Sequence, residues 1–215
     1  MTIRAMIFSL SLALVAAGLM LPTSAKAEKF YDPASKSWVS YKASHWGGTS
    51  GKTFKPSPRY VRKKVSYRSG EAPGTVVIDP KKKYLYYVTG PNTAIRYGVG
   101  VGREGFGWEG TVRVGAKKTW PSWVPPKEML QRQPDLPRFM PGGIKNPLGA
   151  RAIYLFEGNK DTLYRIHGTN EPWTIGYNVS SGCIRLVNDD VVDLYSKIKV
   201  GTKVIVKKSS GFGFF

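Results

Sequence analysis

Between residues 28 and 72 the chain contains not one Ile, Leu or Met, and that absence limits what the segment can become. It carries ten Lys/Arg against three acids, with eight aromatic residues, and Gly, Ser and Pro punctuate it (HWGGTSGKTFKPSP). A segment this poor in aliphatic side chains buries too little surface to offset the entropy of ordering it. Residues 28–72 are therefore expected to form a largely disordered basic arm. His45, between Ser44 and Trp46, has no chemistry-bearing neighbours in sequence and reads as a solvated loop residue.

Ahead of the arm, Arg4 precedes an uncharged run over residues 5–21, and Ala25-Lys26-Ala27 supplies the small-x-small pattern of a signal-peptidase site. The run is short for a membrane span of about 20 residues. Residues 1–27 are accordingly expected to be a cleaved signal peptide, with no cysteine near the junction to carry a lipid. Export would lower the formal charge from +19 to +17, with +7 in the arm and +10 in residues 73–208. Such a balance points to anionic surroundings. Export argues against nucleic acid as the partner and leaves anionic envelope polymers open.

From about Gly74 the pattern changes. Thr75–Asp79 (TVVID) and Tyr84–Val88 (YLYYV) flank Pro80-Lys81-Lys82-Lys83 and read as a hairpin. Ile95, Tyr97, Val99 and Val101 alternate with Arg96, Gly98 and Gly100, the period of a half-buried strand. Val112/Val114, Ala152–Phe156, Leu163–His167 and Lys203–Val206 are further strand candidates. Two helices are expected. Pro126–Arg132 is short, and Asp189–Ile198 is the better one, with Asn188 as its cap and Val191, Leu194, Tyr195 and Ile198 on one face. The sum is a mainly β domain over residues 73–208, a sandwich or barrel with one or two short helices. Gly115–Pro147 holds seven prolines and two tryptophans, a long loop in which Trp120 and Trp123 either line a groove or cover the sheet. The apolar tail, residues 209–215, stands outside the domain.

One cysteine excludes an intrachain disulfide, and two histidines beside it are too few for a Cys/His zinc site. In Ser180-Ser181-Gly182-Cys183-Ile184-Arg185-Leu186, extended backbone would put Cys183 and Arg185 on one face, and Ile184 and Leu186 toward the core. His167, sixteen residues earlier, would by the same parity point with Leu163 and Arg165. It is the only imidazole of the folded part that could activate a thiol. The amides of Gly182 and Cys183 could receive an oxyanion, and Arg185 could hold a substrate carboxylate. Residue chemistry alone leaves a reactive pair and a buried, inert pair as alternatives.

IHGTNEPWTIGYNVSSGCIRLVNDDVVDLYSKIKVGTKVIV resembles the signature of the L,D-transpeptidase catalytic domain (the YkuD-like family): His-Gly-Thr, about a dozen residues, then Ser-x-Gly-Cys-Ile-Arg. VIDPKKKYLYYV, YGVGVGREGFGWEGTVRVGAKKTWPSWVPP and PGGIKNPLGARAIYLF are also similar to the family's strands and loop, so the resemblance spans about residues 74–208. It implies Cys183 as nucleophile and His167 as general base, with Gly168, Ser181, Gly182 and Arg185 on the motif and Gly168 acting through its backbone. Ser181 departs from the commoner form, in which a second histidine precedes Gly-Cys; that touches fine tuning. The implied substrates are peptidoglycan stem tetrapeptides. Cys183 would form a thioester with release of D-alanine and transfer the acyl group to an amine, on a second stem peptide or on an outer-membrane protein. The implied place is the periplasm of a Gram-negative-type envelope, and no metal or cofactor is required. Hydrolysis by the same residues would make an L,D-carboxypeptidase, and a non-catalytic basic envelope-binding protein is the contrasting reading. Asn146 in NPLG is a weaker candidate, structural in character.

Overall fold

The computed structural model describes residues 28–32, 37–41, 56–103 and 108–208. The expected signal peptide, His45 and the apolar tail lie outside the described residues. Among the described residues, thirteen strands and two α-helices follow in chain order. They begin with β1 (Glu28–Asp32), β2 (Ser37–Tyr41), β3 (Lys63–Ser66), β4 (Val76–Asp79), β5 (Tyr84–Gly90), β6 (Thr93–Gly98), β7 (Val101–Gly102) and β8 (Gly110–Thr119). Then come α1 (Lys127–Arg132), β9 (Arg151–Glu157), β10 (Lys160–His167), β11 (Asn178–Ser180), β12 (Ile184–Arg185), α2 (Asn188–Lys197) and β13 (Lys203–Val206). The expected mainly β class, with two short helices, is what forms.

Nine strands make one sheet in the order β12-β10-β9-β8-β13-β4-β5-β6-β3. The chain's last strand, β13, enters its middle, parallel to β4 and antiparallel to β8. The sheet also curls back on itself. Gly100, just beyond β6, exchanges both backbone hydrogen bonds with Arg185 of β12 at 2.9 and 2.8 Å. The next residues carry the stitch onward as β7, which pairs with β11. Curling gives the sheet an enclosed side filled by the aliphatics of alternating positions, Val76, Ile78, Leu85, Val99, Val114, Ile153, Leu155 and Ile166 among them. Val191, Leu194 and Ile198 of α2 complete this core, as their shared helical face requires.

The described parts of the arm form regular structure, contrary to the expected disorder. β1 and β2 pair as an antiparallel hairpin, and residues 57–67 dock on the outer face of the sheet. β3 is the edge strand beside β6, with Val65 opposite Ala94. Tyr60, Val65 and Tyr67 cover Val77, Tyr84, Tyr86, Val88 and Ala94, and Tyr67 stacks on Tyr86 with ring centroids 4.2 Å apart. Residues 57–67 of the expected arm are therefore ordered against the sheet. The physical reason is that aromatic rings bury about 150–250 Å² each, so a segment can dock without a single Ile, Leu or Met. It also explains why all four residues of β4 are buried, on both faces of the strand.

Candidate active site

The site grows from two adjacent parallel strands. β10 and β12 pair with Ile166 opposite Ile184 and His167 opposite Arg185. Ile166 and Ile184 face the core, 0 and 3 % exposed, which turns His167, Cys183 and Arg185 to the other side. Cys183, one residue before Ile184, falls level with Arg165, whose backbone N–H donates to its sulfur. His167 is then the diagonal neighbour of the thiol on one face. The structure thus brings the two residues of the motif together, and both line one cavity of about 360 Å³. Leu163 reaches the same wall, but not by strand parity. A register shift between Asp161 and Arg165 interrupts the alternation and leaves Leu163 left-handed, at φ 63°, and exposed.

His167 is held through its own neighbour in the chain. Its Nδ1 lies 2.5 Å from the Gly168 carbonyl oxygen. A carbonyl only accepts, so Nδ1 carries the proton and Nε2 is left as the basic nitrogen. Gly168 in turn packs against Asn188, whose Oδ1 accepts the N–H groups of Ala150 (2.9 Å) and Thr169 (3.1 Å) while Nδ2 donates to the Thr169 carbonyl (2.7 Å). A Cβ on Gly168 would collide with Oδ1 of Asn188, which accounts for glycine there. This corrects the expected cap. The N-cap of α2 is Val187, which makes no side-chain cap, and Asn188 is the first helical residue, its amide spent on the His-Gly-Thr segment.

The cysteine loop has its own brace. Ser180 Oγ donates to the Cys183 carbonyl at 2.6 Å and accepts the Gly182 N–H at 3.2 Å, across a turn that Gly182 closes at φ 106°. The Gly182 amide expected as an oxyanion donor is thus already engaged. Ser181 is exposed at the mouth of the cavity. Arg185 pairs with Glu171 at 2.8 Å.

Both titratable groups are held neutral. Burial, reinforced by the Arg185 and Arg165 charges and opposed by the Gly168 bond, pushes the imidazole down to about 3. Burial pushes the Cys183 thiol up, against the pull of the Arg165 amide and the two guanidinium groups.

Residues 120–150 arch over this face. Asn146, 1 % exposed, organises them. Its Nδ2 is within hydrogen-bonding distance of the Pro121 (3.1 Å), Met140 (3.3 Å) and Pro141 (2.9 Å) carbonyls, and Oδ1 accepts the Leu148 N–H at 2.8 Å. Trp123 lines the cavity, whereas Trp120 ties its backbone N–H to the Ala150 carbonyl at 2.8 Å. Of the residues that brace this site, Asn188, Ser180 and Glu171 escaped sequence reasoning. Only Asn188, polar at the head of an amphipathic helix, left a signal, and it pointed to another role.

A curled, mainly β domain that presents one thiol and one buried imidazole from neighbouring strands, under a proline-rich arch, defines the class. Residues 73–206 match the YkuD family, the L,D-transpeptidase catalytic domain, and the chain belongs to that family. It is 37% identical over 139 residues to the probable L,D-transpeptidase YbiS of Escherichia coli (strain K12), covering 61% of this chain and 43% of that protein. It is 39% identical over 139 residues to the probable L,D-transpeptidase ErfK/SrfK of the same strain, with the same coverage. The chain thus spans less than half the length of these relatives. A solved structure from Brucella melitensis, described as a probable carnitine operon oxidoreductase, is 45% identical, with a TM-score of 0.49, over 77% of this chain and all of that one. That description names a different chemistry from the family match and the curated relatives, which agree with each other.

Proposed function

We propose that the chain is an exported, cysteine-dependent L,D-transpeptidase acting on peptidoglycan stem tetrapeptides. The observation that carries this reading is the pairing of β10 with β12, which sets His167 and Cys183 diagonally on one face and opens both into one cavity. Nε2 of His167 takes the thiol proton as Cys183 Sγ attacks the carbonyl on the L-centre of the third residue. The oxyanion is received by the Cys183 N–H, with the Gly182 N–H able to turn to it from its long bond to Ser180. The proton moves from His167 to the departing nitrogen, D-alanine leaves, and a thioester remains. A neutral amine then attacks the thioester carbonyl, His167 takes its surplus proton, and the thiolate leaves and is reprotonated. The acceptor is a second stem peptide or an envelope protein. Residues 1–27 direct export, and no step requires a metal or cofactor.

Cys183→Ala is expected to abolish D-alanine release from tetrapeptide-bearing muropeptides, with the circular dichroism of the fold unchanged. Release at the normal rate by that variant would refute Cys183 as the nucleophile, and no release by the unaltered chain would favour a non-catalytic binding protein. The products of the unaltered chain distinguish the fates of the thioester: crosslinked peptide or protein adduct for transfer, free tripeptide for hydrolysis.

A further inference from the structure

Residues 162–164 form a bulge in β10. Asp161 stands opposite Phe156 and Arg165 opposite Tyr154, so three residues face the single Leu155 of β9. Side chains replace the lost ladder. Asp161 Oδ1 accepts the Leu163 N–H at 2.9 Å, while Thr162 Oγ1 donates to the Leu155 carbonyl at 2.7 Å and accepts the Tyr164 N–H at 3.2 Å. At the crest Leu163 is left-handed, at φ 63°, a conformation free to glycine and costly to any side chain with a Cβ. Leu163 is also 75 % exposed, so packing does not offset that cost. A lone exposed leucine is ordinary. One held in a strained conformation on the wall of the cavity that holds Cys183 points to a role in the site.

Its position says what it would meet. β10 and β12 run parallel with His167 opposite Arg185, so Cys183 is level with Arg165. Arg185 therefore lies beyond the thiol along the strands, and Leu163 lies before it. A second, wider cavity of about 620 Å³ shares Arg185 with the thiol cavity and adds Arg103 and Lys145. The part of the thiol cavity that the wide one lacks includes Pro126, Leu148, Leu163 and Tyr164, with Glu128 the one acid of the lining. The nucleophile thus stands between a cationic end and an apolar end. Arg185 keeps a buried Nε without a hydrogen-bond partner, and a donor's terminal carboxylate is drawn to that end. The acyl half of the donor then lies toward Leu163. We infer that Leu163 is a specificity-determining residue whose side chain packs on the methylene stem of a diamino acid at the donor's third position. The acid at this end, Glu128, favours a stem that finishes in an ammonium over a purely aliphatic one. The inference rests on the peptidoglycan reading above and deepens it.

The test uses the full chain and two synthetic stem tetrapeptides, identical except that the third residue is a diamino acid in one and L-alanine in the other. A leucine side chain covered over about half its surface predicts about a tenfold fall in kcat/KM for D-alanine release from the diamino donor in Leu163→Gly. With the alanine donor the change should stay below about twofold. Glycine relieves the left-handed strain but frees the unfolded chain, so the urea midpoint should rise by about 0.3 M rather than fall. Leu163→Met, apolar and of similar volume, should keep kcat/KM for the diamino donor within about threefold. An unchanged kcat/KM with the diamino donor, an equal loss with both donors, or a lower urea midpoint in Leu163→Gly overturns the inference and leaves the peptidoglycan reading standing. A loss in Leu163→Met as deep as in the glycine variant does the same. Release of D-alanine from neither donor by the unaltered chain refutes the substrate class, and the inference with it.

Discussion

Asn188 is the residue on which the geometry of His167 most depends, and replacing it by alanine gives the sharpest test. Its amide makes three buried contacts at 2.7 to 3.1 Å, with the Ala150 N–H, the Thr169 N–H and the Thr169 carbonyl. The side chain is 2 % exposed, so water does not replace it. An orphaned buried polar group costs about 1–3 kcal/mol. Because the segment can relax, the three together should cost about 4 kcal/mol rather than their sum. With a urea dependence of about 2 kcal/mol per molar, the unfolding midpoint of Asn188→Ala should fall by about 2 M. Gly168→Ala supplies the control, because its new Cβ would overlap Oδ1 of Asn188. In the Asn188→Ala background that overlap disappears, so the two substitutions should be less than additive by at least about 1 kcal/mol. D-Alanine release per folded Asn188→Ala molecule should also drop by about tenfold or more, since the carbonyl that fixes the imidazole tautomer is no longer pinned. A midpoint shift below about 0.5 M, or strict additivity in the cycle, would refute the clamp.

Two further predictions follow from the site and from the docked segment. The thiol pKa is raised and the imidazole stands at about 3, so neither group changes charge between about pH 4 and 8. Alkylation of Cys183 by iodoacetamide should rise about tenfold per pH unit through neutrality toward pH 9, and a plateau there would mean a preformed thiolate–imidazolium pair. Deletion of residues 28–55 should leave the melting temperature within about 2 °C, whereas deletion of residues 28–72 bares Val77, Tyr86, Val88 and Ala94 and should lower it by about 10 °C. Equal stability of the two deletions would show that Tyr60, Val65 and Tyr67 add nothing to the fold.

What was legible in the sequence, and what was not, divides by the kind of interaction. Strand periodicity revealed β4, β5, β6, β9, β10 and β13, because burial of alternate side chains is written in residue identity. The same parity placed Cys183 with Arg185, and Ile184 with Leu186 in the core. The partner of His167 could not be read that way. It is a backbone carbonyl, which every residue possesses, and only the fold decides which one is offered. Asn188 was visible as a polar residue at a helix start, where local capping is the commonest use of such a side chain. Its actual partners lie nineteen and thirty-eight residues away, across the arch and the His-Gly-Thr segment. Asn146 shows the same logic within the loop, where one amide replaces the repeated hydrogen bonds that a proline-rich segment cannot make for itself.

Residues 57–67 depart from the disorder expected of the arm, because absence of Ile, Leu and Met bears on whether a segment can found a core of its own and not on whether it can dock on one. The segment at 57–67 does not build one; it completes a surface that β4, β5 and β6 already present. Docking on an existing apolar face orders far fewer residues per unit of buried area than founding a core does, so two tyrosines and a valine suffice. The docking also reaches the site. The Tyr60 ring fills the space above Gly176, in the turn that leads into β11 and Ser180, and Arg62 meets Asp190 at 3.6 Å, two residues beyond Asn188. Both supports of the active site, the Ser180 brace and the Asn188 clamp, are therefore backed by a segment that precedes the family's domain.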